Sequence, residues 1–289
     1  MSTVALDHQL YNKPGNNEKD GAVLILHGLF GSKRNWNTLA QGFSKSLDKP
    51  IYTLDLRNHG TSPHQHGMTY AEMAQDVLEF IDKHDLKQTT IIGHSMGGKV
   101  AMAVALDPYF DTCKDLLQNL IVVDIAPVKA GVSEEFRGYA EAMLSIENGK
   151  MKTRKHADML LSAFESDSDM RAFLLTNLGT ATTERPYVKF RIPINIIQKA
   201  LPDIGDFSYS PGERVWEGRT LFIKGAESPY INHHGIPLIQ SFFPNYMLES
   251  LGTGHLVHAE QPAEFKQLVE KFLAIPTSSP PSFFIRSSP

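Results

Sequence analysis

Gly93-His94-Ser95-Met96-Gly97-Gly98 follows the β-branched run Thr89-Thr90-Ile91-Ile92 and opens a run of helix formers, Lys99 to Leu106, that stops at Asp107-Pro108. The first run reads as a buried strand and the second as a helix. A G-x-S-x-G pattern at a strand-to-helix turn is a nucleophile elbow: the serine takes a strained backbone conformation that pushes its Oγ out of the fold. Glycine is needed at 93 and 97 because strand and helix approach too closely there for side chains. The serine also sits at a helix N-terminus, whose unpaired N–H groups and dipole favour developing negative charge. Together these features point to a hydroxyl that attacks carbonyl carbon. The competing reading, a glycine-rich phosphate loop, would call for G-x-x-x-x-G-K-[ST], which does not accompany the motif.

Working outward, strand-like runs at Ala22–Leu26, Ile51–Asp55, Thr89–Ile92, Leu120–Ile125, Thr220–Lys224 and Tyr246–Leu251 alternate with helical patterns. Such alternation predicts an α/β fold with a mostly parallel sheet flanked by helices. It breaks between about Pro127 and Gly212, where Ser133–Asn148, Thr153–Ser166, Asp167–Leu178 and Asn195–Leu201 read as four amphipathic helices without a strand among them. The expected organisation is a core of residues 1–127 and 212–275, an inserted helical cap at 128–211, and a poorly ordered tail at 276–289. The last core helix is expected at Pro262–Ala274, and no internal repeat is seen.

With 289 residues and 42% hydrophobic content the chain can fill one large core. A net charge of −4 with 21% charged residues gives no reason to expect nucleic acid or an anionic membrane as partner. No apolar run approaches the roughly 18 residues of a membrane span. The single cysteine, Cys113, has no partner for an internal disulfide and reads as incidental in its polar stretch. Met1 to Asp20 lacks an apolar secretory core and an Arg-rich, acid-poor look, so the expectation is a cytosolic protein or one whose leader has been removed.

A nucleophilic serine needs a base, a group that orients the base, and donors for the oxyanion. Gly252-Thr253-Gly254-His255 follows the last strand, which makes His255 the candidate base among 12 histidines. His258, at the start of a helical run, reads as a supporting or surface residue. Two carboxylates compete to orient the histidine: Asp124, at the end of the strand before Ile125-Ala126-Pro127, and Glu227, in Gly225-Ala226-Glu227-Ser228-Pro229. The position three after Gly225, where many proteins of this architecture carry an aspartate, is Ser228, which cannot serve as the acid. Asp124 therefore leads and Glu227 is the reserve. His27-Gly28-Leu29-Phe30-Gly31-Ser32 forms a small-residue turn after an early strand, and the Leu29 and Met96 N–H groups are the candidate oxyanion hole. His27, Arg57 and His59 are expected to brace loops rather than move protons. Met143, Leu144, Met159, Leu160 and Phe164 have helical spacing that suits an acyl pocket, although that pattern is more often core. His233-His234 and His64/His66 lack acidic or cysteine partners at metal-ligand spacing, so no metal and no cofactor are expected.

Taken together, His27–Ser32, Leu54-Asp55-Leu56-Arg57-Asn58-His59-Gly60, Ser62-Pro63-His64, the elbow through Lys99, Val122–Val128 and Gly254-His255 resemble an α/β-hydrolase. More narrowly they are similar to the group that holds the YbfF-type esterases, abhydrolase domain-containing protein 11 and the yeast mitochondrial hydrolases and ethanol acetyltransferases. The combination of Arg-Asn-His-Gly with Asp-Ile-Ala-Pro is the specific part. The resemblance implies the chain order nucleophile, acid, base as Ser95, Asp124, His255, with the acid on the earlier strand, which favours Asp124 over Glu227. It implies hydrolysis of small-molecule carboxylic esters or acyl thioesters through an acyl-serine. The alternative is alcohol acetyl transfer from acetyl-CoA to ethanol with the same three residues. A mitochondrial location is implied too, with cytoplasmic as the alternative. A dehalogenase or epoxide hydrolase would need an aspartate at the elbow, and a catalytically dead binding protein would be expected to lack one of the three.

Overall fold

The computed structural model describes residues 2–12, 21–111 and 116–275. Cys113 and the tail at 276–289, for which expectations were stated above, lie outside them. In chain order the core opens with β1 (His8–Tyr11), β2 (Val23–Leu26), α1 (Asn37–Leu47), β3 (Ile51–Leu54) and α2 (Tyr70–Lys83), followed by β4 (Thr89–His94), α3 (Met96–Ala105) and β5 (Leu117–Val123). After β5 come α4 (Glu134–Asn148), α5 (Arg154–Leu161), α6 (Ser168–Leu174), β6 (Leu178–Gly179), β7 (Lys189–Phe190) and α7 (Ile194–Gly205). The core then resumes with β8 (Arg219–Gly225), α8 (Gly235–Phe242), β9 (Tyr246–Leu251), α9 (Val257–Glu260) and α10 (Pro262–Ala274).

Seven strands form one sheet in the order β1-β3-β2-β4-β5-β8-β9, with every pair parallel except antiparallel β1 and β3. Both faces are covered, which is why the central strands are continuous apolar runs and not alternating ones. Val23, Ile25, Ile121 and Ile223 pack on one face with Phe43 of α1 and Phe265, Val269 and Phe272 of α10. Leu24, Leu26, Val122 and Phe222 face α2, α3 and the helices that follow β5. Helix α2 starts where the sequence allows it to start cleanly: Thr69 accepts the Glu72 N–H, and the Glu72 carboxylate returns to the Thr69 N–H. Truncating a fully buried ring such as Phe265 to alanine would cost about 3–5 kcal/mol.

The segment between β5 and β8 holds four helices, as the periodicity predicts, but it is not free of strands. Leu178–Gly179 pairs antiparallel with Lys189–Phe190. Two residues per strand are too few to print an alternation, so this hairpin is invisible in the sequence. The same holds for β1, whose four residues are half-buried or exposed on a sheet edge. The strand expected at Leu120–Ile125 lies at Leu117–Val123, because Asp124 takes φ +52° and leaves the ladder. Side chains tie this segment to the rest of the fold, among them Tyr70, Asn177 and Lys99. Tyr70 donates to Ile204 O at 2.7 Å, Asn177 Nδ2 to Phe30 O at 2.6 Å, and Lys99 Nζ to Val128 O and Asp206 O at 2.9 Å each. Among the described residues no helix is long and apolar enough to cross a membrane.

Candidate active site

Ser95 lies immediately beyond β4, the middle strand of the sheet, and before α3. Its φ of +51° and ψ of −116° are strained for a residue with a side chain. The strain is held by the Ser95 N–H bond to Val123 O at 2.9 Å and by close packing on both sides. A Cβ on Gly93 would fall 2.2 Å from Gly97 O, and one on Gly97 would fall 2.5 Å from the carbonyl oxygens of Leu26 and His27. Only glycine lets the helix meet the sheet this closely, and that contact fixes where the Ser95 hydroxyl emerges.

The loops after β9 and β5 deliver the histidine that the hydroxyl meets and the carboxylate behind it. His255 Nε2 lies 3.0 Å from Ser95 Oγ, and His255 Nδ1 lies 2.7 Å from Asp124 Oδ2. Asp124 is fully buried. Its Oδ1 accepts the Gly225 N–H at 2.9 Å, and its Oδ2 accepts a short bond from the Ser228 hydroxyl as well as the imidazole. Because the carboxylate receives donors on every side, Nδ1 of His255 carries the proton and Nε2 faces the serine as an acceptor. That is the tautomer a general base requires. Tyr230 packs on the imidazole with ring centroids 4.2 Å apart. Glu227, the reserve acid, is exposed and makes no bond to His255 among the described residues. Ser228 was read only as a residue unable to act as the acid. Its place after Gly225, beside the acid on the neighbouring strand, is the signal that could have marked it as the acid's support.

Leu29 and Met96 line a cavity together with Ser95, and the N–H of neither donates a hydrogen bond among the described residues. Histidines fix the loop that carries Leu29. His27 Nδ1 donates to Gly28 O at 2.8 Å, so its Nε2 accepts the Leu56 N–H at 3.0 Å. His59 Nδ1 donates to Arg57 O at 3.0 Å, so its Nε2 accepts the Phe30 N–H at 3.1 Å. Burial lowers the pKa of both, and the neighbouring His27 helps push His59 down to about 3. Neutral, singly protonated rings are what this double bracing needs. Arg57, expected to brace, pairs with buried Asp76 through Nε at 2.6 Å and Nη2 at 2.8 Å.

Behind His255, His94 Nε2 donates to the His255 carbonyl at 2.9 Å and so anchors the loop from below. His258 is buried and stacks on Trp36 with centroids 4.0 Å apart, in keeping with a supporting place and not a surface one. Burial, reinforced by His255, holds His258 at about 3, and burial with the His258 and His255 charges keeps His94 well below the usual histidine range. His255 is thereby the ring that faces the serine among three packed histidines.

Ser95 stands between two cavities. One, of about 80 Å³, is lined by Met96, Ile125, Val128, Phe136, Ile204 and Tyr230 among others, with Lys99 also in its wall. The other, a narrower crevice, contains His255 together with Trp36, Phe136, Met170, Phe173 and Leu256. Leu29, Ser95 and Phe136 line both. The helical residues proposed for an acyl pocket are not there: Met143 is buried in the core, while Met159 and Phe164 are exposed. The amphipathic pattern marks which face of a helix is apolar, and here the cavity wall comes instead from the irregular segment at 125–133 and the end of α7. Lys99 gives its three protons to Val128 O, Asp206 O and Gly205 O, the last at 3.3 Å. Burial lowers its pKa to about 8, although Asp206 opposes the shift.

Residues 21–262 match the model of the α/β hydrolase fold family. The chain belongs to the α/β-hydrolase family. It is an enzyme of that class, with esterase and lipase relatives. An abhydrolase domain-containing protein of Schizosaccharomyces pombe is 40% identical over 88% of this chain and 93% of its own length. A Xenopus laevis protein named as an sn-1-specific diacylglycerol lipase is 36% identical over 93% and 84%. A Saccharomyces cerevisiae protein named "Probable alcohol acetyltransferase" is 35% identical over 87% and 76%. Among solved structures, a marine microorganism esterase superposes with a TM-score of 0.82 at 33% identity, covering 93% of this α/β-hydrolase and all of that chain, 100%.

Proposed function

We propose that Ser95, His255 and Asp124 are the catalytic triad of a serine hydrolase that cleaves carboxylic esters or thioesters of small to medium acyl groups. The observation that carries this reading is the unbroken relay from Ser95 Oγ through His255 to buried Asp124, at 3.0 and 2.7 Å. In this mechanism His255 Nε2 takes the Ser95 proton as Oγ bonds to the substrate carbonyl carbon, and the Leu29 and Met96 N–H groups receive the oxyanion. Collapse of the tetrahedral species breaks the bond to the leaving oxygen or sulfur, which takes the proton from His255. Water then repeats the sequence on the acyl-serine and restores the enzyme.

The position of the base sorts the two cavities. A leaving group must sit against His255, so it enters on the side of Trp36 and Met170, and the acyl chain occupies the cavity that lacks His255. The second reading is alcohol acyl transfer, in which ethanol replaces water and acetyl-CoA supplies the acyl group. The apolar lining of Trp36, Met170, Phe173 and Leu256 on the His255 side favours an alcohol over water there. The name of the Saccharomyces cerevisiae relative supports the same reading. We further propose the division into a core at 1–127 and 212–275 and a cap at 128–211, supported by the cap's supply of cavity wall. A mitochondrial location rests on the resemblance to mitochondrial hydrolases, and cell fractionation tests it.

The test is p-nitrophenyl acetate turnover by wild type and Ser95→Ala, repeated with ethanol while ethyl acetate is quantified by gas chromatography. Loss of turnover in the variant is expected, and undiminished turnover would remove the triad. Ethyl acetate well above the uncatalysed control would favour transfer over hydrolysis.

A further inference from the structure

A third, polar cleft of about 400 Å³ lies between the loop after β2, the loop after β3 and the 176–191 segment of the cap. Its walls carry Ser32, Arg34, Asn35, Thr61, Thr176 and Arg191. Asp55 is also in the wall, but it is buried and accepts bonds from Lys33 N at 2.7 Å and Thr61 N at 2.9 Å in addition to its ion pair with Lys33 Nζ. Lys33 Nζ also pairs with Asp7 Oδ2 at 3.1 Å, so one lysine serves two carboxylates beside this wall. The two arginines are not neutralised. Both are exposed; Arg34 has no hydrogen-bond or ion-pair partner for its guanidinium among the described residues, and Arg191 donates only to Thr176 O through its side chain. Two unpaired guanidiniums against the one negative charge that Lys33 leaves on Asp7 and Asp55 keep the cleft net positive, which stands out on a chain whose net charge is −4.

The cleft adjoins the cavity on the His255 side. Asn35 lines both, and the short loop from Gly31 to Asn35 separates them. A leaving group long enough to pass Asn35 would bring its far end between Arg34 and Arg191. Guanidinium groups, rigid and fully ionised, pair bidentately with phosphate, and the cleft's volume lies in the range of small-molecule sites.

We propose that this cleft binds the phosphorylated nucleotide end of a CoA-type thioester, so that the thiol leaving group runs from Ser95 past Asn35 to Arg34 and Arg191. The inference rests on the serine thioesterase or acyltransferase reading above and adds the recognition of the leaving group to it.

The test compares kcat/KM of the full chain for acetyl-CoA, for S-acetylpantetheine, which lacks phosphate, and for p-nitrophenyl acetate. Wild type, Arg34→Gln, Arg191→Gln and the double variant are assayed, with folding checked by circular dichroism. Wild type should prefer acetyl-CoA to S-acetylpantetheine by at least about tenfold, through KM, and the preference should shrink as salt is raised. Each substitution should lower kcat/KM for acetyl-CoA roughly tenfold more than for p-nitrophenyl acetate, the loss expected for one charge-assisted hydrogen bond. The double variant should lose the preference. Adenosine 3′,5′-bisphosphate should compete with acetyl-CoA in wild type, and inorganic phosphate at the same concentration should not. Equal use of the two thioesters by wild type, or a preference that survives in the double variant, overturns the proposal, as does inhibition by inorganic phosphate equal to that by the bisphosphate. Ser95→Ala separates this failure from the other: if it retains p-nitrophenyl acetate turnover, the serine mechanism itself is wrong.

Discussion

Replacing Asp124 with asparagine changes one oxygen to an amide while keeping shape, and the structure dictates how that amide turns. Gly225 N–H needs an acceptor at 2.9 Å, so the amide oxygen stays on that side and the NH2 faces His255 and Ser228. His255 Nδ1 must then accept, which puts the proton on Nε2 and presents Ser95 with a donor where it needs a base. Two losses follow. An imidazolium and a carboxylate with charge centres about 4 Å apart attract by about 4 kcal/mol at an effective dielectric constant of 20, and asparagine removes that attraction from the transition state. This alone is about a thousandfold in rate, and the wrong tautomer takes the total toward about 10⁴. The assay is kcat/KM for p-nitrophenyl acetate, with a melting curve to establish that the variant folds. A folded Asp124→Asn variant that loses less than tenfold would refute the reasoning and return Glu227 to consideration.

Ser228→Ala removes one donor from the same carboxylate without touching its charge, and kcat/KM should fall by roughly tenfold, in line with the lower end for hydrogen bonds to charged groups; no change in steady-state kinetics would mean that the bond is idle. Lys99→Met leaves three inward-facing carbonyls, of Val128, Gly205 and Asp206, without their donor and should destabilise the fold by roughly 3 kcal/mol, read as a lower urea midpoint. An unchanged midpoint would contradict the role of Lys99 as the tie between α3 and the backbone at Val128, Gly205 and Asp206. Stability should fall with acid well above the carboxylate range. His59 and His258 sit near 3 when folded, below the ordinary 6.5, so the unfolded chain binds more protons between those values. Their contribution is complete above about pH 6.5 and is lost as pH drops through the window, on the order of 1.4 kcal/mol per pH unit for each ring. His27 and His94 shift in the same direction. Urea melts at about pH 7.5, 6 and 5 measure this, and a flat profile would mean that these rings are not buried neutral.

The elbow was readable because its geometry permits so few residues: Gly93 and Gly97 each face backbone at under 3 Å, so the motif is a steric statement as well as a chemical one. That His255, after the last strand, and Asp124, at a strand end, come together with Ser95 was legible because a parallel sheet brings such ends to one edge. The choice between Asp124 and Glu227 was harder, because only the fold reveals that Glu227 points to solvent while Ser228 turns inward. What sequence could not supply was pairing at a distance. The edge strand His8–Tyr11 and the hairpin of Leu178–Gly179 with Lys189–Phe190 are too short to carry a period, and partners far along the chain create them. The cavity walls failed for a related reason. Periodicity in Ser133–Ser166 identified apolar faces but not their neighbours, and the cavity beside Met96 is walled in large part by irregular backbone between Ile125 and Ser133 that has no period to read.

The most direct test of the account is to stop p-nitrophenyl acetate turnover by acid quench in its first moments and map the acyl group by mass spectrometry. The tryptic peptide Gln88–Lys99 contains Ser95. A burst of about one p-nitrophenol per enzyme and an acetyl group on Ser95 are expected, and neither in Ser95→Ala. An unlabelled Ser95 in an enzyme that still turns over, or a burst that persists in the alanine variant, would contradict it.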